Sequence, residues 1–168
     1  LDFIYRHEHH GDTVAPLSGA GLKAIPFRKP AMGELATLID DGGLKVEALA
    51  VDHTPVDPAV GYRFSYKGRS LLITGDTVKL ENIERFSKGV DLLVHECNFP
   101  DELRDYALKT GHSHTTAVAE VAAAANVRQL LLLHFNPLAP DDDPIGLPVA
   151  RAIFPQAQLA RDGDVVEF

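Results

Sequence analysis

Ser70-Leu71-Leu72-Ile73-Thr74-Gly75-Asp76-Thr77 is the stretch whose reading decides the fold. An apolar run breaks at Gly75 and delivers a carboxylate, the pattern of a buried strand that stops at a polar turn. The same device recurs outward on both sides. Leu44–Val51 (LKVEALAV) reads as a strand that stops at Asp52-His53. Val90–Val94 (VDLLV) stops at His95-Glu96, and Val127–Leu133 (VRQLLLL) stops at His134. Between them, Gly61–Tyr66 alternates Tyr62, Phe64 and Tyr66 with other residues at strand period, and Lys67-Gly68 marks a tight turn. Val78–Lys88 and the alanine-rich Thr116–Ala125 are predicted helices. Strands interleaved with helices predict an α/β layer, and sites in such layers form beyond the strand ends. Four apolar strands that each end at a group able to bind metal or carry a proton predict one shared site.

The flanks are less regular. Residues 1–43 are broken by Gly11, Pro16, Gly19, Gly21, Pro26, Pro30 and Gly33 and close at Gly42-Gly43, so they read as an irregular lead-in to 44–168. Residues 137–148 hold four prolines and Asp141-Asp142-Asp143, and read as a loop. Gln158–Ala160 and Val165–Phe168 flank Asp162-Gly163, which predicts a hairpin.

Composition bounds the function. With 168 residues, 45% of them hydrophobic, the chain suits a single domain or part-domain with a real core, which excludes intrinsic disorder. A net charge of −8 argues against gripping nucleic acid by electrostatics alone. The single cysteine, Cys97, excludes an intrachain disulfide and a cysteine-rich zinc site, and reads as a core residue. No apolar run approaches the roughly 20 residues of a membrane span, so no membrane partner is expected. The chain opens at Leu1. A cytoplasmic location is favoured, or a periplasmic one if a leader was removed. The eight histidines are where chemistry is expected. His53, Asp76 and His134 together offer imidazole and carboxylate donors suited to Zn, Mn or Fe, and their long spacing fits ligands delivered by separate strands.

Six runs taken in order carry a resemblance. They are Asp52-His53-Thr54-Pro55-Val56, Gly61-Tyr62-Arg63-Phe64, Leu72–Thr77, Leu92-Leu93-Val94-His95-Glu96, His114-Thr115-Thr116-Ala117 and Leu133-His134-Phe135. Together they resemble the metallo-β-lactamase superfamily, in its ribonuclease Z and arylsulfatase-like branch. The resemblance implies an αββα sandwich of which this chain would hold the carboxy-terminal part. It implies two divalent ions per intact parent, Zn²⁺ first and Mn²⁺ or Fe²⁺ as substitutes. Asp76 would bridge the ions, with His53 and His134 on opposite ones. A hydroxide between the ions would attack a phosphodiester, sulfate ester or lactone. His114, oriented by Glu96, would be the general acid. His95-Glu96-Cys97-Asn98 resembles the family's His-Glu-Ala-Thr loop with its second half replaced.

The family's His-x-His-x-Asp-His string is not in this chain; His7-Glu8-His9-His10-Gly11-Asp12 has the wrong order and reads as a polar loop. The expectation is a carboxy-terminal half of a longer hydrolase acting on a small-molecule ester. Two alternatives stand beside it. One is a tRNA 3′-processing endoribonuclease, with RNA as partner, which the net charge disfavours. The other is an inactive fragment. An apolar sheet face left uncovered predicts a homodimer or a domain-swapped assembly.

Overall fold

The computed structural model describes residues 25–139 and 142–168. Seven strands form one sheet in chain order: β1 (Leu35–Asp41), β2 (Leu44–Ala50), β3 (Val60–Tyr66), β4 (Arg69–Ile73), β5 (Leu92–Glu96), β6 (Gln129–Leu133) and β7 (Ala157–Leu159). β1 to β4 are an antiparallel meander, and β4 to β7 run parallel. Helices fill the parallel crossovers: α1 (Glu81–Phe86), α2 (Arg104–Lys109), α3 (Thr115–Ala124) and α4 (Leu147–Ile153). The fold is therefore mixed α/β, as the strand and helix pattern predicts.

Two antiparallel steps separate β2 from β4, so β2 points the same way as β4, β5 and β6. All four strands then release the chain at one edge of the sheet. That topology is why the residues following β2, β4 and β6, and the last residue of β5, meet.

The core lies on one face. Leu49, Leu72, Leu93, Leu130 and Leu132 from the strands pack with Ile83 of α1, Val118, Val121 and Ala122 of α3, and Ala150 of α4. Strand alternation sends Tyr62, Phe64, Leu71, Ile73, Leu131 and Leu133 to the opposite face, where they are only half-buried. We expect the purified chain to self-associate through this face, seen as a concentration-dependent rise in sedimentation coefficient.

Three expectations need correction. Residues 35–41 are not irregular but form the edge strand β1, because Gly42 and Gly43 both adopt positive φ and turn the chain back onto β2. Residues 147 and 148 are not loop but open α4, with Pro148 in the first turn, where its missing N–H costs nothing. The turn at Asp162-Gly163 forms, but Val165–Phe168 is not a strand; β7 pairs in parallel with β6 instead. On β3, Arg63 reaches to 3.5 Å from the buried Glu47 carboxylate.

Candidate metal centre

Asp76 follows β4 in a tight Gly75-Asp76 turn and stands between two histidines. Its Oδ2 lies 3.8 Å from His53 Nε2, and its Oδ1 lies 3.5 Å from His134 Nε2. One carboxylate thus faces an imidazole with each oxygen. The structure brings together three of the residues that the four strand ends nominate, while His95 and Glu96 at the fourth end are fully buried.

His53 is held from behind. Its Nδ1 is 2.9 Å from the Gly111 carbonyl oxygen, which can only accept, so Nδ1 carries a proton and Nε2 is the atom turned toward Asp76. Gly111 has φ +76°, and a Cβ there would sit 2.8 Å from the Thr54 carbonyl oxygen and 3.0 Å from His53 Nδ1. Only glycine lets the backbone come this close. Gly111→Ala is expected to destabilise the chain by roughly 1–3 kcal/mol and to weaken divalent-ion binding by displacing His53. Chemical denaturation and metal titration of the same sample check both effects.

Glu96, fully buried at the end of β5, is the hub of the loops. Its oxygens accept from the backbone N–H groups of Thr77, Asn98 and Ser113. Its Oε1 is also 2.9 Å from His112 Nδ1. Glu96 therefore ties together the loops after β4, after β5 and before α3.

This corrects the pairing expected from the sequence. Glu96 orients His112, not His114. His114 Nδ1 lies 2.6 Å from Asp101 Oδ1, and Asp101 also accepts from the N–H and hydroxyl of Thr116. Since His114 is the residue before α3, Asp101 and His114 form a clasp over that helix's first turn. The two histidines stand two residues apart, and each has its own carboxylate.

His112 also reaches the centre. Donor atoms of His53, Asp76 and His112 lie within 4.8 Å of one another. The His112 ring sits 4.8 Å from that of His53 and 5.4 Å from that of His134. The sequence carried a signal for this residue, since His112-Ser113-His114 offers two histidines to one loop, but nothing there chooses between them. Asn98 is a second residue that sequence reasoning passes over. Its side-chain amide donates to the His134 carbonyl oxygen at 2.9 Å and stabilises a backbone turn in which His134 adopts φ +60°. Cys97 is buried, and burial pushes its thiol well above the ordinary range, so it is a core residue.

The donor chemistry fits a divalent ion of the zinc class. Imidazole nitrogens and one shared carboxylate converge, and the rings of His53 and His112 are held by outer hydrogen bonds as metal-ligating histidines usually are.

Two buried neighbours pull stability in opposite directions with pH. Burial lowers His95 to about 4, and its Nδ1 donates to the Glu96 carbonyl oxygen. The unfolded chain binds a proton at His95 that the folded chain refuses, so this residue costs stability as pH falls from about 6.5 toward 4. Burial, reinforced by Asp76, pushes the Glu96 carboxyl up to about 7. The folded chain then keeps a proton that the unfolded chain releases, so this residue costs stability as pH rises from about 4.5 toward 7. Each effect is worth about 3 kcal/mol, and they largely cancel in the unsubstituted chain. In chelator-containing buffer, His95→Leu is expected to gain stability relative to the parent on acidification from pH 6.5 to 4.5, whereas Glu96→Gln is expected to lose it. Urea midpoints across that range decide the matter.

Comparison with known proteins gives the family and the fold. The family model described as the beta-lactamase superfamily domain matches residues 7–135. A ribonuclease Z from Trichodesmium erythraeum is 35% identical over 140 residues, covering 81% of this chain and 40% of that protein. The metallo-beta-lactamase fold protein YhfI from Bacillus subtilis shares the fold with a TM-score of 0.71 at 24% identity, over 86% of this chain and 56% of that one. The short form of human tRNase Z gives a TM-score of 0.65 at 25% identity, over 81% of this chain and 57% of that one. The chain spans less than half the length of the curated relatives it matches. Among the described residues no helix is long and apolar enough to cross a membrane.

Proposed function

Because the chain belongs to the beta-lactamase superfamily, we propose that its parent protein is a metal-dependent phosphodiesterase of the ribonuclease Z kind, cleaving near the 3′ end of a precursor tRNA. The observation that carries this reading is the divided Asp76 carboxylate, one oxygen toward His53 and the other toward His134. That geometry supports a bridging role between two ions, with His53 and His134 as terminal ligands. When bound, a pair of divalent ions supplies a nucleophilic hydroxide at neutral pH and stabilises charge on the attacked phosphorus. The residues of the chain do the rest. His112 Nε2 is the proton donor to the leaving oxygen, and Glu96 holds the ring through Nδ1. Burial lowers the basicity of His112, the adjacent His53 lowers it further, and Asp76 opposes. Such a ring gives up its proton readily. Asn98 positions His134 through its carbonyl group.

Ribonuclease Z relatives favour RNA over the small ester expected from the net charge. The small-ester reading keeps one observation on its side: a net charge of −8 attracts no polyanion. The test is direct. The whole protein, loaded with Zn²⁺, is given a precursor tRNA with a 3′ trailer and, separately, aryl phosphodiesters and lactones. Release of the trailer at the discriminator end supports the proposal. Efficient lactone or aryl-ester turnover with an intact precursor tRNA would replace it with the small-ester reading.

A further inference from the structure

His53 and His112 are prepared in the same way, and His134 is not. The Nδ1 of His53 is engaged by the Gly111 carbonyl oxygen, and the Nδ1 of His112 by the Glu96 carboxylate. In both rings Nε2 is left as the free donor. Both rings are largely buried, with side chains 17% and 15% exposed. His134 differs on each count. Its side chain is 43% exposed, and among the described residues no hydrogen bond fixes its Nδ1. Only its backbone carbonyl is held, by Asn98.

The metal-ligand geometry follows this difference. His53, Asp76 and His112 place donor atoms within 4.8 Å of one another, close enough for small side-chain adjustments to meet one ion. Two imidazoles and one carboxylate make a three-ligand face with an open side. A carboxylate behind a ligating imidazole raises its donor strength and fixes its tautomer, and Glu96 stands in that position behind His112.

We propose that, with a single divalent ion bound, this chain holds it through His53, Asp76 and His112, so that His112 is a metal ligand in that state. The inference rests on the metal-hydrolase reading above and adds a state to it. An imidazole whose Nε2 lone pair is committed to an ion cannot also deliver a proton from that atom. The one-ion chain is thereby deprived of its proton donor, and His112 is freed only when stronger ligands draw the ion away from it.

Zn²⁺ titration of the purified chain against a chromophoric chelator tests the proposal. One ion per chain is expected. His112→Ala should weaken binding at least tenfold, His134→Ala less than threefold, and His114→Ala not at all. A measurement on the unsubstituted protein guards against a misfolded variant: long-range ¹H–¹⁵N imidazole spectra with and without Zn²⁺. The Nε2 resonances of His53 and His112 should move together on loading, and those of His134 should stay. Movement of His53 and His134 with His112 unchanged would overturn the proposal while leaving the metal-hydrolase reading intact, as would two tightly held ions. Binding insensitive to Asp76→Ala and His53→Ala would sink both.

Discussion

Asp76→Ala is expected to abolish tight divalent-ion binding, a larger loss than the roughly 10–100-fold that follows removal of an outer-shell partner. The reason is geometric. No other carboxylate among the described residues stands between His53 and His134, and each Asp76 oxygen serves one of them. Asp76→Asn keeps the shape and removes the charge, and should lose nearly as much. Stability should move the other way. Asp76 is one of the causes that push the Glu96 carboxyl up, so removing its charge relieves a like-charge contact with a buried group. Equilibrium dialysis with Zn²⁺ and urea denaturation in chelator together separate the two effects. Retained affinity in Asp76→Ala would mean that the histidines bind metal without it, and the bridging role would fall.

What the sequence disclosed, and what it hid, divides along a physical line. His53, Asp76 and His134 were legible because each follows an apolar run, and the end of a buried strand is a short-range signal. That these ends meet depends on β2, β4, β5 and β6 sharing one direction, which the pattern of turns and helices also implies. β1 was hidden because its exposed edge gives no strong apolar alternation, and the two glycines after it read as loop punctuation. The Glu96 partner was hidden for a different reason. His112 and His114 lie in one short segment, and only the position of Asp101 beside α3 assigns His114 to the helix and leaves His112 for Glu96. Side-chain pairing across loops has no periodicity to read. The role of Asn98 is likewise a long-range contact, reaching the carbonyl group of His134 from the loop after β5.

The same assignment yields the sharpest expected contrast between neighbours. In the whole enzyme carrying its full complement of ions, His112→Ala should slow hydrolysis of substrates with poor leaving groups by roughly 10²–10⁴-fold, the usual worth of a positioned general acid. A nitrophenyl ester leaves without a proton and should be slowed far less. Glu96→Gln should follow the same pattern more weakly, since a neutral amide still meets His112 but stabilises its protonated form less. His114→Ala should behave quite differently. Asp101 keeps its bonds to the Thr116 N–H and hydroxyl but loses its charge-assisted partner. The cost should be roughly 1–3 kcal/mol of stability with no selective loss on either ester. Rates on paired poor and good leaving groups, measured with melting curves for both variants, distinguish the two residues. A His112→Ala loss that is equal on both esters would remove it as proton donor, and a leaving-group-dependent loss in His114→Ala would hand that role to His114.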